Sequence, residues 1–372
     1  MTEIKNDWYN IKNINEIDSP ALVIYTERVK RNISTAVEMV GDLQRLRPHV
    51  KTHKCKEVVE MMMNAGISKF KCATIAEAEM MGMCNAKDVL LAYQPVGPKP
   101  KRFIAVIKKY ASTKFSCLTD NIDAAKEMSN AFAANKLTIP VYLDINVGQN
   151  RTGIEPEHAA ELYDQCSHLK GIKPVGLHAY DGHIRDVDFD ARKQKCDECF
   201  ERVLKVKEEI IQNGFDEPVI IAGGSPTFSI HCKRKNMECS PGTFIFWDKG
   251  YTDLCPEQNF LTAPLVITRV ISLPTETKLC LDLGHKSVAA ENEIAKRVFF
   301  LNAPELKAVG QSEEHLVVEA GANHSYKVGD VLYGLPIHIC PTVALYERAL
   351  TVNDNVVNGE WMIVARDRKI SI

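Results

Sequence analysis

The sequence has no apolar run approaching the roughly 18 residues that a membrane-spanning helix needs. It opens on Met1-Thr2-Glu3-Ile4-Lys5-Asn6, without the basic and apolar regions of a secretory leader. Lysine and arginine number 46 against 48 acidic residues, and the net charge of -2 leaves no basic excess to argue for nucleic acid. The 12 cysteines have no framework spacing and read as reduced thiols of a cytoplasmic protein. The one C-x-x-C, Cys196-Asp197-Glu198-Cys199, lies in a charged, helix-like stretch with no second pair nearby, so it reads as structural rather than redox-active or zinc-binding. There is no internal repeat and no low-complexity linker. A Gly-rich turn after the first predicted strand, which would mark an open nucleotide-binding sheet, is missing too.

What is present suits a soluble protein of about two domains: 372 residues, 45% hydrophobic and 25% charged. Eight β-rich runs alternate with helix-like stretches: 47–52, 69–75, 88–95, 114–120, 141–148, 173–180, 218–224 and 237–246. Alternation of this kind implies parallel βαβ units, and eight of them predict a (β/α)8 TIM-type barrel over residues 20–250. The stretch 196–213 is the clearest predicted helix, with Gly214 at its stop. Beyond Tyr251 the texture changes. Runs at 265–273, 279–283, 315–319, 331–335 and 361–365 predict a second, mainly antiparallel β domain over 251–372, joined by residues 1–19.

Functional residues of such a barrel sit at the C-terminal ends of its strands. The first run closes on His49-Val50-Lys51-Thr52-His53. Strand alternation would put His49, Lys51 and His53 on one face. An enclosed lysine tends to lose its charge, and a neutral amine is a nucleophile that forms Schiff bases. A basic solvated loop is the other reading, since Lys54 and Lys56 follow closely. Arg151 follows the fifth run and could pair with an anionic oxygen or sit in a surface turn, while His178 and Tyr180 end the sixth with shared parity. The turn Gly223-Gly224-Ser225 after the seventh run could let backbone N–H groups approach an anion, with help from Gly242 and Thr243; alone it would be an ordinary loop. A lysine on one side of the mouth and a phosphate cradle on the other suggest pyridoxal phosphate. In the β domain, His338-Ile339-Cys340 in a strand would point an imidazole and a thiolate the same way, toward one divalent ion, with zinc favoured over harder cations. A histidine and a cysteine that merely share a strand are the alternative.

Together these residues resemble the D-threonine aldolase/D-serine dehydratase family, the fold-type III pyridoxal phosphate enzymes related to alanine racemase. The resemblance spans nearly the whole chain: Asp18-Ser19-Pro20-Ala21, Arg47 to Lys54, Asp144 to Gly153, Gly223 to Thr227, Ser240 to Thr243 and His338 to Thr342. It implies that Lys51 is the Schiff-base lysine, that His338 and Cys340 bind zinc or manganese, and that Arg151 lies near the cofactor's ring oxygen. It places Tyr180 near the ring and gives the phosphate to the 223–225 turn. It further implies a homodimer in which His338 and Cys340 of one subunit cover the cofactor of the other. Aldolase members tend to carry aspartate where this chain has Cys340, and dehydratase members more often carry cysteine, which tilts the expectation toward dehydration of a D-3-hydroxy amino acid. Aldol cleavage to glycine and an aldehyde is the alternative, with His53 or another histidine at the mouth as its base. An amino-acid racemase and a non-catalytic cofactor carrier stand further off. Asp282-Leu283-Gly284-His285-Lys286 resembles a family stretch imperfectly and receives no role.

Overall fold

A computed structural model describes residues 8–372, so residues 1–7 of the expected N-terminal joining segment lie outside the described residues. The described residues start in the second domain, not the barrel. Strand β1 (Ala21–Tyr25) pairs antiparallel with Pro264–Ser272 and parallel with Arg348–Asn353. The barrel strands follow: β2 (Lys69–Cys72), β3 (Asp88–Leu91), β4 (Lys114–Thr119), β5 (Ile139–Asp144), β6 (Ile172–Ala179), β7 (Val219–Ala222) and β8 (Glu238–Cys239). They form one parallel sheet in sequential order. Such strands are covered on both faces and need continuous apolar sequence. β7 supplies it with Ile220 and Ile221, both fully buried, each burial contributing roughly 1.5–3 kcal/mol.

The eighth barrel position is taken by residues 46–50, which bridge both edges of the sheet: Leu46 to Cys239 of β8, and His49 to Lys71 of β2. Arg47 N–H donates to Cys239 O at 2.9 Å and Lys71 N–H to Pro48 O at 2.8 Å. This segment is not the regular strand expected at 47–52. Pro48 has no N–H to donate, and the chain turns at once, with Lys54 N–H donating back to Val50 O at 3.0 Å. The eighth expected strand, 237–246, shrinks to Glu238–Cys239 for the same reason: Pro241 ends the ladder, and Thr243–Ile245 form a 3-10 turn. The predicted helix at 196–213 begins earlier, at Phe189, because Asp188 caps it by accepting from Ala191 N–H at 2.8 Å. Where residues 46–50 meet the starts of β2, β3 and β8, the buried Arg47 guanidinium binds Glu238 at 2.5 Å and Asp88 at 2.6 Å.

The β domain continues with β9 (Pro264–Ser272), β10 (Lys278–Leu281), β11 (Val298–Phe300), β12 (Lys307–Gln311), β13 (Leu316–Glu319), β14 (Val331–Pro336), β15 (Arg348–Asn353) and β16 (Val356–Met362). All its pairings are antiparallel except β1 with β15. Ile11 and Ile17 pack into a cluster with Val23 of β1, Ile267 of β9 and Leu335 of β14. Asp282 accepts from Thr268 Oγ1 at 2.5 Å, Arg269 N–H at 2.8 Å and Ser19 Oγ at 2.5 Å, which makes it a tie between the N-terminal segment and β9. No helix of the described residues is long and apolar enough to cross a membrane.

Candidate active site

A cavity of about 450 Å³ opens at the C-terminal ends of the barrel strands. Its walls include His49, Lys51, Lys71, Asp144, Arg151, His178 and Tyr180. Lys51 lies in the turn after residues 46–50, its Nζ 5.7 Å from the centre of the Tyr180 ring. The Arg151 guanidinium lies 5.1 Å from the same ring. Lys54 is not a competitor for the cavity: its backbone is left-handed, with φ of 53°, and its amine is ion-paired to the buried Glu77.

His53 does not line the cavity. The turn that follows residues 46–50 breaks strand alternation, so His53 does not share the face of Lys51. It is fully buried, its Nδ1 accepts from Cys55 N–H at 3.3 Å, and its ring lies edge-on to Phe246. Burial pushes it down to about 3, and its Nε2 has no partner. A base at the cavity must be another group.

The cavity wall carries a chain the sequence reading missed. Asp144 at the end of β5 accepts from His178 Nδ1 at 2.7 Å, and Lys71 of β2 reaches across the barrel to within 3.4 Å of His178 Nε2. Asp144 leaves His178 with Nδ1 as donor and Nε2 as acceptor. Burial opposes the charge on Asp144, but the hydrogen bond from His178, joined by one from Thr152, outweighs it and holds the carboxyl below its usual range. Burial, then the neighbouring Lys51 charge, push Lys71 down to about 7. Burial and both lysines push His49 well below the usual imidazole range. The signal for Lys71 was available: in Lys69-Phe70-Lys71-Cys72 one lysine begins a barrel strand and the other lies inside it.

Gly223, Gly224 and Ser225 form a buried turn after β7, against the Tyr180 ring that lines the cavity. Gly223 has φ of 80°, and a Cβ built there would fall 2.6 Å from His231 Cδ2. A Cβ on Gly224 would fall 2.8 Å from Tyr180 Cε2. Both positions therefore demand glycine; Gly223 N–H donates to Ala179 O at 3.0 Å and Gly224 N–H to Thr227 Oγ1 at 3.3 Å. Ser225 Oγ accepts from Gly242 N–H at 3.3 Å and Thr243 N–H at 2.9 Å, which leaves its own O–H free to donate. The glycine cradle, the serine hydroxyl and a lysine across the cavity fit the phosphate and aldehyde of pyridoxal phosphate.

His338 and Cys340 are not in a strand. β14 ends at Pro336, His338 is extended, and Cys340 enters the short helix Ile339–Val343. The buried Asp248 carboxylate docks this helix by accepting from Ile339 N–H at 3.0 Å, and it accepts from Tyr251 N–H at 2.9 Å. Burial raises Asp248 to about 6. Cys340 Sγ lies 3.2 Å from Thr52 Oγ1 and 3.5 Å from Thr243 Oγ1 of the same chain. Cys340 thus packs on its own chain's barrel, against the residue that follows Lys51. Burial lowers the basicity of His338, but Cys340, Asp248 and Glu291 outweigh it and raise the imidazole to about 9. Burial likewise opposes the thiolate of Cys340, yet His338 and Lys51 pull that thiol below its ordinary value. An imidazole beside a readily ionised thiol is a donor set suited to zinc.

Comparison with known proteins agrees with this geometry. Residues 24–249, more than half of the chain, match the alanine racemase N-terminal domain, and residues 263–352 match the serine dehydratase domain. The chain is similar to a D-threonine aldolase of Arthrobacter sp, 27% identical over 94% of this chain and 93% of that protein. It is similar to the D-threo-3-hydroxyaspartate dehydratase of a Delftia species, 24% identical over 92% of this chain and 97% of that one. The solved D-threonine aldolase of Filomicrobium marinum superposes with a TM-score of 0.86 at 25% identity, covering 94% of this chain and 96% of that structure. By its barrel domain, the chain belongs to the alanine racemase N-terminal domain family.

Proposed function

We propose that the chain is a pyridoxal phosphate- and metal-dependent lyase for D-3-hydroxy amino acids, with β-elimination as its main outcome. One observation carries the reading: Cys340, two residues from His338, packs on Thr52, the residue after the cavity-lining Lys51. A racemase has no need of that pair, and neither has a carrier. When bound, pyridoxal phosphate supplies an electron sink for Cα, and the metal supplies a Lewis acid for the β-hydroxyl.

The chain's own residues do the rest. Lys51 would anchor the cofactor, and its free Nζ would take the α-proton of the substrate. Arg151, which lies 5.1 Å from the Tyr180 ring, would meet the cofactor's ring oxygen, and Tyr180 would support its ring. Gly223, Gly224, Ser225 and Thr243 hold the phosphate. His338 and Cys340 hold zinc, with manganese as the alternative ion. Pairing of two copies and a cytoplasmic setting belong to the same reading; all 12 cysteines are unpaired.

Aldol cleavage is the second reading, favoured by the similarity to two D-threonine aldolases. It needs a base for the hydroxyl proton. His53 does not reach the cavity, whereas Lys71 lines it with an amine held near neutrality.

A substrate panel decides between them. D-serine, D-threonine and their L-forms are assayed for pyruvate, 2-oxobutyrate, glycine and aldehyde together. Keto acid from the D-forms supports elimination, and glycine with aldehyde supports cleavage. Borohydride reduction and peptide mapping should place the cofactor on Lys51; a label on Lys54 or Lys71 defeats the assignment.

A further inference from the structure

Behind the glycine rim lies a second cluster of chemistry-bearing side chains. Asp181, Cys196 and His231 are all buried, and their donor atoms lie within 4.8 Å of one another. Nitrogen, oxygen and sulfur so placed invite a metal. The hydrogen bonds argue otherwise. A metal-bound imidazole passes its second N–H to an acceptor. Here the Arg234 guanidinium donates to His231 Nδ1 at 3.0 Å, so Nδ1 is a lone pair and Nε2 carries the proton. That proton points at Asp181 Oδ2, 2.8 Å away. An arginine cation on the far side of the ring also opposes a second cation on the near side. Arg234 is itself held by Asp197, within the C-x-x-C of the helix that carries Cys196.

The other carboxylate oxygen leads to the rim. Thr227 Oγ1 donates to Asp181 Oδ1 at 2.8 Å and accepts from Gly224 N–H at 3.3 Å. The His231 ring packs against Gly223, where an added Cβ would be 2.6 Å away. Asp181 also follows directly on Tyr180, whose ring touches Gly224 from the cavity side. One buried carboxylate thus ties the glycine turn to the end of β6.

Given that residues 223–225 hold the phosphate, the geometry points to Asp181, Thr227 and His231 as positioning residues that lock the cradle in its binding shape, and not as a second metal site. They touch neither cofactor nor substrate. They fix the left-handed turn at Gly223 and the direction of Gly224, and the effect falls on cofactor retention.

The test measures pyridoxal phosphate dissociation by equilibrium dialysis, and the phosphorus resonance of the bound cofactor, on whole protein. Thr227→Val and Asp181→Asn should each weaken retention by about tenfold, the scale of one buried hydrogen bond, and shift the resonance. Thr227→Ser keeps the hydroxyl and should restore both. The double variant should lose no more than the worse single variant, because the two act in one chain of bonds. Unchanged dissociation and resonance in folded Thr227→Val, while Gly224→Val loses the cofactor, would overturn the brace alone. Retention in Gly224→Val as well would overturn the cradle reading beneath it. Elemental analysis closes the metal alternative: zinc retained in Cys340→Ala but lost on Cys196→Ala would make the cluster a metal site and defeat the proposal.

Discussion

Replacing Lys71 with methionine should stabilise the cofactor-free protein at neutral and acid pH, although it removes a hydrogen bond. Lys71 is about 2% exposed, and its amine has one hydrogen-bond partner among the described residues, His178 Nε2 at 3.4 Å. Its folded-state value of about 7 lies below the ordinary 10.5. Between those values the unfolded chain holds a proton that the folded chain does not, so stability rises with pH across the window. Below about 7 both states are charged, and the folded protein carries the full cost of a buried cation. At 1.36 kcal/mol per pH unit that cost is about 5 kcal/mol. The lost bond to His178 returns about 1 kcal/mol. Lys71→Met should therefore gain about 4 kcal/mol at pH 6, about 2 near pH 8, and nothing above pH 10. Methionine matches lysine in length and flexibility, which limits repacking. Urea denaturation of both proteins at several pH values measures the difference. A loss of stability that is the same at pH 6 and pH 10 would mean that Lys71 is satisfied as a cation, and would refute the reasoning. A gain would show that the chain tolerates an instability at the cavity wall, as sites kept for function often do.

Gly224→Val should weaken cofactor retention by at least tenfold, because the added carbons meet Tyr180 where even a Cβ would stand 2.8 Å away; dialysis against free cofactor checks this. Mixing Lys51→Ala with Cys340→Ala protein under demonstrated subunit exchange should restore no activity, since Cys340 packs on Thr52 of its own chain; recovery would show that the two residues meet across an interface. Arg47→Ala should cost about 3–5 kcal/mol in denaturation experiments, because Glu238 and Asp88 would be left with unbalanced charge in the barrel. Chelation should abolish lyase turnover while leaving cofactor absorbance in place. Ion affinity, followed by titration calorimetry, should fall with decreasing pH, since His338 must give up a proton held to about 9.

Periodicity was a sound guide wherever the backbone followed it. Seven of the expected barrel runs contain observed strands, and the switch to antiparallel texture after Tyr251 is visible in the sheet order. It failed at prolines and turns. Pro48 and Pro241 cut short the first and last expected barrel strands, and the turn after Val50 moved His53 out of the cavity. The two-residue spacing of His338 and Cys340 fits a strand. An extended residue followed by a helical turn brings the same side chains together.

The sequence by itself determined the parallel barrel, the second β domain, and a set of residue types whose chemistry points to one cofactor and one metal. These rest on local patterns and on side chains that few other functions need together. Only the tertiary structure decided which domain β1 serves, which residues Cys340 packs against, and which groups share the cavity. Lys71 and His178 lie 107 positions apart and meet only because the barrel closes, and their protonation follows from that burial. Charge in a protein interior depends on what surrounds it, and those surroundings exist only once distant strands pack together.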